Sequence, residues 1–224
     1  MVYDTWSPYD PSEADTPEDV SRLRQRLQHS QQAIRTMLPL LRQEIENPDR
    51  DSDSVHKVLR PYYDTGRDMP MTPADVPEIE SLCRLVLERG GLRQNEIQKV
   101  LLQLVGATAL PESVPFLLEM LRYTRRGDHF GPERRQLALW GLARVAIFHN
   151  IPETYAALRE ALDDRRAEVR ITATDLILDA YLSAHRTVPQ DIVDKLHEMA
   201  RSDPDDDVRR TIKRFLHEPW SQSQ

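Results

Sequence analysis

Four short stretches constrain this chain more than anything else in it: Val76-Pro77-Glu78, Leu110-Pro111-Glu112, Ile151-Pro152-Glu153 and Val188-Pro189-Gln190. Each is an aliphatic residue, a proline, then Glu or Gln, and the prolines stand 34, 41 and 37 residues apart. Proline suits the first turn of a helix, where its missing N–H has no partner to lose, and an acid there suits the positive end of the helix dipole. Ten residues after the prolines stand Leu87, Leu121, Leu162 and Met199. Six after them stand Cys83, Leu117 and Leu158, with Leu196 taking the place of Lys195 one step later in the fourth unit. That is one face of one helix, written four times. A second helical stretch follows in each unit: 94–104, 132–145, 168–182 and 207–216. Helix pairs at this period predict an all-α chain built as an α-solenoid. A glycine count of only 7 in 224 residues agrees, because helix interiors exclude glycine.

The junction inside each pair carries the most charge. Residues 163–170, DDRRAEVR, hold three acids and three arginines, and alone would suit a catalytic cluster or a nucleic-acid clamp. Shifted by 39 residues they meet DPDDDVRR: Asp164 falls on Asp203, Val169 on Val208, Arg170 on Arg209 and Thr172 on Thr211. The shared pattern, Asp-x-x-x-x-Val-Arg, reads as a turn and a helix start. The aspartate is expected to cap the second helix, the valine to open its buried face, and Ala173 to admit a partner helix closely.

This pattern resembles the signature of HEAT repeats, particularly the short HEAT-like type. The likeness is best over 151–216 and weaker over 76–150, where Arg134 stands in the place of the valine; it is absent from 1–75. The resemblance implies a right-handed superhelix of about four helix pairs, with an N-terminal helical extension and with the second helices lining the concave face.

The rest divides by composition. Residues 1–15 read as an acidic disordered tail. Residues 1–20 contain six acids and no Lys or Arg, so the remaining chain carries only about -1 of the net -7. Thr16-Pro17-Glu18-Asp19 opens a helix expected over 16–46, with Val20, Leu27, Ile34 and Leu41 recurring every seven residues and Leu23 and Met37 beside them. Pro39 should kink or split it. Ser30 and the short length favour packing on its own domain over a dimerising coiled coil. Residues 47–75 read as a proline-rich connector with a short helix around 53–60, 76–218 as the repeat domain, and 219–224 as a C-terminal tail. Tyr123–Phe130, YTRRGDHF, lengthens the second unit as a surface insertion.

The motifs of enzymes are missing: no phosphate loop, dinucleotide fingerprint, nucleophile elbow or HExxH occurs. One cysteine, Cys83, rules out an intramolecular disulfide framework and a cysteine-rich zinc site. His197-Glu198 and His217-Glu218 fall at non-equivalent places in their units, so neither a metal nor another cofactor is expected. No membrane-length apolar run and no leader pattern occur, and a cytoplasmic setting is the expectation.

The function expected is a non-enzymatic protein-interaction scaffold that binds its partner through the concave face of the second helices. Its partner would be another protein, engaged through an acidic peptide segment whose carboxylates meet guanidinium groups on the second helices. The candidate contacts are Arg135, Trp140, Arg144, Arg170, Arg209 and Lys213. The acids interleaved with Arg135, Arg170 and Arg209 also favour a ladder bonding neighbouring repeats, and Trp140 fits a core position. Tyr3, Trp6 and Tyr9, spaced by three among acids, form a candidate docking tail. The alternative is a HEAT-like enzyme or nucleic-acid binder, bilin-lyase-like or DNA-glycosylase-like, on the same arginine-rich helices. The nearly neutral body makes nucleic acid the weaker partner.

Overall fold

A computed structural model describes residues 17–47, 52–65, 71–90 and 92–217. Ten helices and two 3-10 turns account for nearly all of them, and no strand occurs among the described residues. The chain divides into two compact units, Met1–Thr108 and Ala109–Gln224.

The first unit holds α1 (Pro17–Glu46), α2 (Ser52–Thr65), α3 (Val76–Arg89) and α4 (Leu92–Thr108). Its helices form two pairs, α1 with α2 and α3 with α4; α1 also lies on α3, and α2 on α4. From the second half of α1, Ile34, Met37, Leu38, Leu41 and Ile45 point into the core at 0–1% exposure. They meet Val55, Leu59 and Tyr62 of α2, spaced for one helix face, and the rows Ile79–Val86 and Ile97–Val105. The Tyr62 hydroxyl donates to Gln103 Oε1 at 2.8 Å, tying α2 to α4. Arg35 clamps Asp75 with two bonds of 2.7 and 2.9 Å, and Thr72 donates to the same carboxylate. That fixes the entry into α3.

Two expectations change here. Pro39 neither splits α1 nor ends it: α1 is one helix of 30 residues with the proline ring on its exposed side. Stretch 47–75 is not simply a connector. It contains the 14 residues of α2, longer than the helix expected at 53–60, and its apolar row is part of the core. The low apolar content and four prolines of the stretch hid three well-spaced core residues. The parts of the expected tails at 1–15 and 219–224 lie outside the described residues.

The second unit holds α5 (Val114–Arg122), α6 (Gly131–His149), α7 (Pro152–Glu160), α8 (Ala167–Leu182), α9 (Gln190–Ser202) and α10 (Asp206–Leu216). Consecutive helices pack as the pairs α5–α6, α7–α8 and α9–α10, and the second helices also pack on one another, α6 on α8 and α8 on α10. Prolines sit in the first turn of α7 and just before α9, while Pro111 opens a 3-10 turn before α5. Small residues let the second helices approach: Ala138, Ala143, Ala146 and Ala173 are buried at 0–1%. Val169 and Val208, each opening a buried face, are at 0%. Helix α6 ends on Asn150 in the left-handed conformation, a residue that tolerates it well.

Replacing Leu59 tests the place of α2 in the core. Leu59→Ala is expected to cost about 2–4 kcal/mol in urea unfolding, the usual range for a closed apolar site; a connector leucine would cost less than about 0.5 kcal/mol.

Candidate functional site

The charged junctions of the second unit resolve into one internal device. Arg135, near the start of α6, has its Nε 2.9 Å from Asp164 Oδ2 and donates from Nη2 to Oδ1 at 3.2 Å. One unit on, Arg170 of α8 donates from Nε and Nη2 to the two carboxylate oxygens of Asp203 at 2.8 and 2.6 Å. Its Nη1 donates to the backbone carbonyl of Asp164 at 2.8 Å. Each arginine thus reaches forward to the aspartate of the next junction, and both are at least nine-tenths buried. Arg209 occupies the equivalent position on α10. With no following unit among the described residues, it turns to Asp206 and to the carbonyl of Asp203.

The aspartates do not cap the second helices as expected. Asp164 accepts the N–H of Arg166 at 2.8 Å, and Asp203 accepts that of Asp205 at 2.9 Å. These are short turns that lead the chain into the helix. The cap of α10 is Asp205, which accepts from Asp207 and Val208, and α8 has no side-chain cap. Asp164 and Asp203 instead present their carboxylates to the arginine behind.

Burial alone would raise the pKa of Asp203. The Arg170 guanidinium and the Asp205 N–H overcome that and hold it below the ordinary carboxylate value. The bond to Asp203 in turn raises the pKa of Arg170, against its own burial. Arg134, in the position expected for valine, is 1% exposed. It bonds Asp128, donates to the carbonyl of Tyr123 at 3.4 Å and lies 4.6 Å from the Tyr123 ring centre. The departure from the pattern is therefore the anchor of the insertion 123–130.

Outside this device, α6 presents a different chemistry. Trp140, Arg144 and Phe148 follow one another at four-residue spacing along its outer side. The Arg144 guanidinium lies 5.3 Å from the centre of the Trp140 ring and 5.7 Å from that of Phe148, within cation–π range of both. Phe148 is 52% exposed, the most exposed of the large apolar side chains among the described residues. Trp140 is half-buried and does not belong to the closed core. Gln136, one turn before Trp140, donates to Thr172 Oγ1 at 2.9 Å and to the Glu168 carbonyl at 3.1 Å, fixing the α6 face against α8.

The structure therefore separates the expected contacts. Arg135 and Arg170 are enclosed in ion pairs within the chain and are not available to a partner. Arg209 is half-buried against its own junction, and Lys213 is exposed on α10. Trp140 and Arg144 share one row, to which Phe148 belongs. The Trp-x-x-x-Arg-x-x-x-Phe spacing carries that signal in the sequence. Tyr3, Trp6 and Tyr9 lie outside the described residues. His197 and His217 are exposed, and no group of three or more His, Cys, Asp or Glu is placed to hold a metal ion among the described residues. No described helix is long and apolar enough to cross a membrane. Comparison with protein-family models, curated proteins and solved structures finds no match to this chain.

Breaking the internal pair should be costly and pH-dependent. Arg170→Ala leaves Asp203 buried without its cation and is expected to cost about 3–5 kcal/mol. Arg210→Ala, which loses only the exposed pair with Asp207, should change stability by less than about 0.5 kcal/mol. Because Asp203 titrates lower in the folded chain than unfolded, its contribution is complete above the unfolded carboxylate pKa of about 3.9 and fades as pH falls below it. Urea midpoints should thus fall more steeply between about pH 5 and pH 3 for the wild type than for Asp203→Asn. Equal slopes would remove Asp203 as the titrating group.

Proposed function

We propose that this chain is a HEAT-like α-solenoid protein that acts as a non-enzymatic interaction scaffold, engaging another protein through the outer face of its second helices. The repeated Asp-x-x-x-x-Val-Arg junctions and the packing of α6 on α8 and α8 on α10 support the HEAT-like reading. The row Trp140–Arg144–Phe148 carries the functional one. A half-exposed phenylalanine beside a stacked arginine and tryptophan supplies the residue types that dominate binding hot spots. The buried arginine pairs keep the helices beneath in fixed register, which lowers the ordering cost of binding.

Recognition then differs from the guanidinium–carboxylate pairing expected of Arg135 and Arg170. Aromatic burial leads, with the exposed Lys213 placed to meet an acidic partner segment. The alternative, an enzyme or nucleic-acid binder on the arginine-rich helices, loses its main support because Arg134, Arg135 and Arg170 face inward.

A peptide library displayed on phage, panned against the full chain, tests this. Peptides selected by the wild type should bind Phe148→Ala at least about tenfold more weakly, the effect of losing one hot-spot side chain. The melting temperature should not move, since Phe148 is half-exposed. Selected peptides that bind Trp140→Ala and Phe148→Ala as tightly as the wild type would refute the face. Steeply salt-dependent binding to duplex DNA would favour the nucleic-acid reading instead.

A further inference from the structure

The arginine rung that joins one helix pair to the next is written once more on α10, at the surface. Arg209 and Lys213 stand 39 residues after Arg170 and Thr174. On α8 those two lie one turn apart on one side, and both are buried. Arg170 donates backward from Nη1 to the Asp164 carbonyl, and forward from Nε and Nη2 to the Asp203 carboxylate. Arg209 makes the same backward contact, from Nη1 to the Asp203 carbonyl. Its forward end differs: Nη2 meets Asp206, three residues earlier on its own helix, whose carboxylate is 78% exposed. The Arg209 side chain is 31% exposed where that of Arg170 is 9%. Where Thr174 is fully buried, Lys213 is exposed. A guanidinium held at its back by a carbonyl, with an ammonium one turn on, is thus presented to solvent.

We propose that Arg209 and Lys213 form a docking site for an aspartate-bearing acidic segment of a partner protein. The rungs inside the unit define that ligand. Asp164 Oδ1 accepts both Arg135 Nη2 and the N–H of Arg166, two residues on. Asp203 Oδ1 likewise accepts both Arg170 Nη2 and the N–H of Asp205. In each case a short aspartate turn orients the carboxylate that the guanidinium takes. A partner segment led by aspartate forms the same turn from its own backbone, and Arg209 already has the back contact that Arg170 uses.

The surroundings select for acid. Arg210 and Arg214 are exposed on the same helix, so α10 carries four cations, while its acids sit in the first turn. Asp206 is the internal competitor. Its pair with Arg209 is exposed and separated by one turn of helix, an arrangement that contributes little. A partner aspartate exchanges that single contact for a bidentate one, and Lys213 meets a second acid of the segment. The inference rests on reading the chain as an interaction scaffold, but it uses a different helix from the Trp140–Arg144–Phe148 row.

NMR titration of the isotope-labelled full chain tests this. The probe is a synthetic peptide copying residues 202–208, SDPDDDV, whose first aspartate is the one Arg170 holds in the fold. The wild type should bind it, with shifts centred on α10. Arg209→Lys, which keeps the charge and loses the fork, should bind at least about tenfold more weakly, the loss of a charge-assisted bond. The wild type should show the same loss for the peptide with that aspartate replaced by asparagine. Lys213→Ala, exposed and outside the core, should bind about threefold more weakly with an unchanged melting temperature. Asp206→Asn, which removes the competitor, should bind up to about fivefold more tightly. Phe148→Ala should bind as the wild type does, so failure of the α6 face and failure of this site are told apart. A wild type that does not bind the peptide, an asparagine peptide that binds as tightly, or an Arg209→Lys chain that keeps full affinity would each overturn the proposal. So would Arg209-dependent self-association in sedimentation velocity, which would give the site to a second copy of the chain.

Discussion

The bidentate pair between Arg170 and Asp203 is the interaction on which the second unit depends. Taking two charges out of water is expensive, and a buried pair rarely exceeds well-packed apolar residues in net stability. Its value here is geometric. A planar guanidinium accepts a carboxylate in one orientation, and the third contact of Arg170, to the Asp164 carbonyl, ties the same side chain to its own junction. One arginine therefore measures the distance from one helix pair to the next. Arg135 repeats the forward contact, so α6, α8 and the turn before α10 are held in register by two polar rungs through an otherwise apolar interface.

The first helices of the same unit are joined differently. Arg122 faces Glu160, Arg159 pairs with Asp191, and Lys195 reaches Asp163 at 2.7 Å, all with at least one partner well exposed. Such pairs contribute little and are screened by salt. The unit thus has a side fixed by buried, bidentate bonds and close packing, and a side stitched by solvated charges. Tyr155 closes one end of the fixed side: its hydroxyl donates to the Ala146 carbonyl at 3.2 Å and accepts from Arg186 at 2.8 Å.

The helix pairs were legible because they rest on local rules. Proline in or beside a first turn, and leucine at helical spacing, mark α3, α5, α7 and α9 without tertiary help. What was not legible depended on partners distant in sequence. Asp164 and Asp203 look like helix caps locally; their carboxylates are engaged by arginines 29 and 33 residues earlier. Arg134 looks like a defect in a repeat until Asp128 and Tyr123 fold back on it. Helix α2 was obscured by the prolines and charges around it, although Val55, Leu59 and Tyr62 had the spacing of a buried face. At the candidate site, Trp140 and Arg144 were marked for charge and aromaticity, but Phe148 joins them only once α6 extends to His149.

Counting arginines overstates how basic this protein's surface is. Three of those grouped on the second helices, Arg134, Arg135 and Arg170, direct their charge inward to Asp128, Asp164 and Asp203. Arg210 meets Asp207 on its own helix, and Arg144 rests between two rings. A surface built this way draws its contact energy from apolar area and stacking, and uses charge for orientation. The same division holds within α6 alone. Its first turns supply the arginines that fix the fold, and its last turns supply the aromatic row proposed to meet a partner.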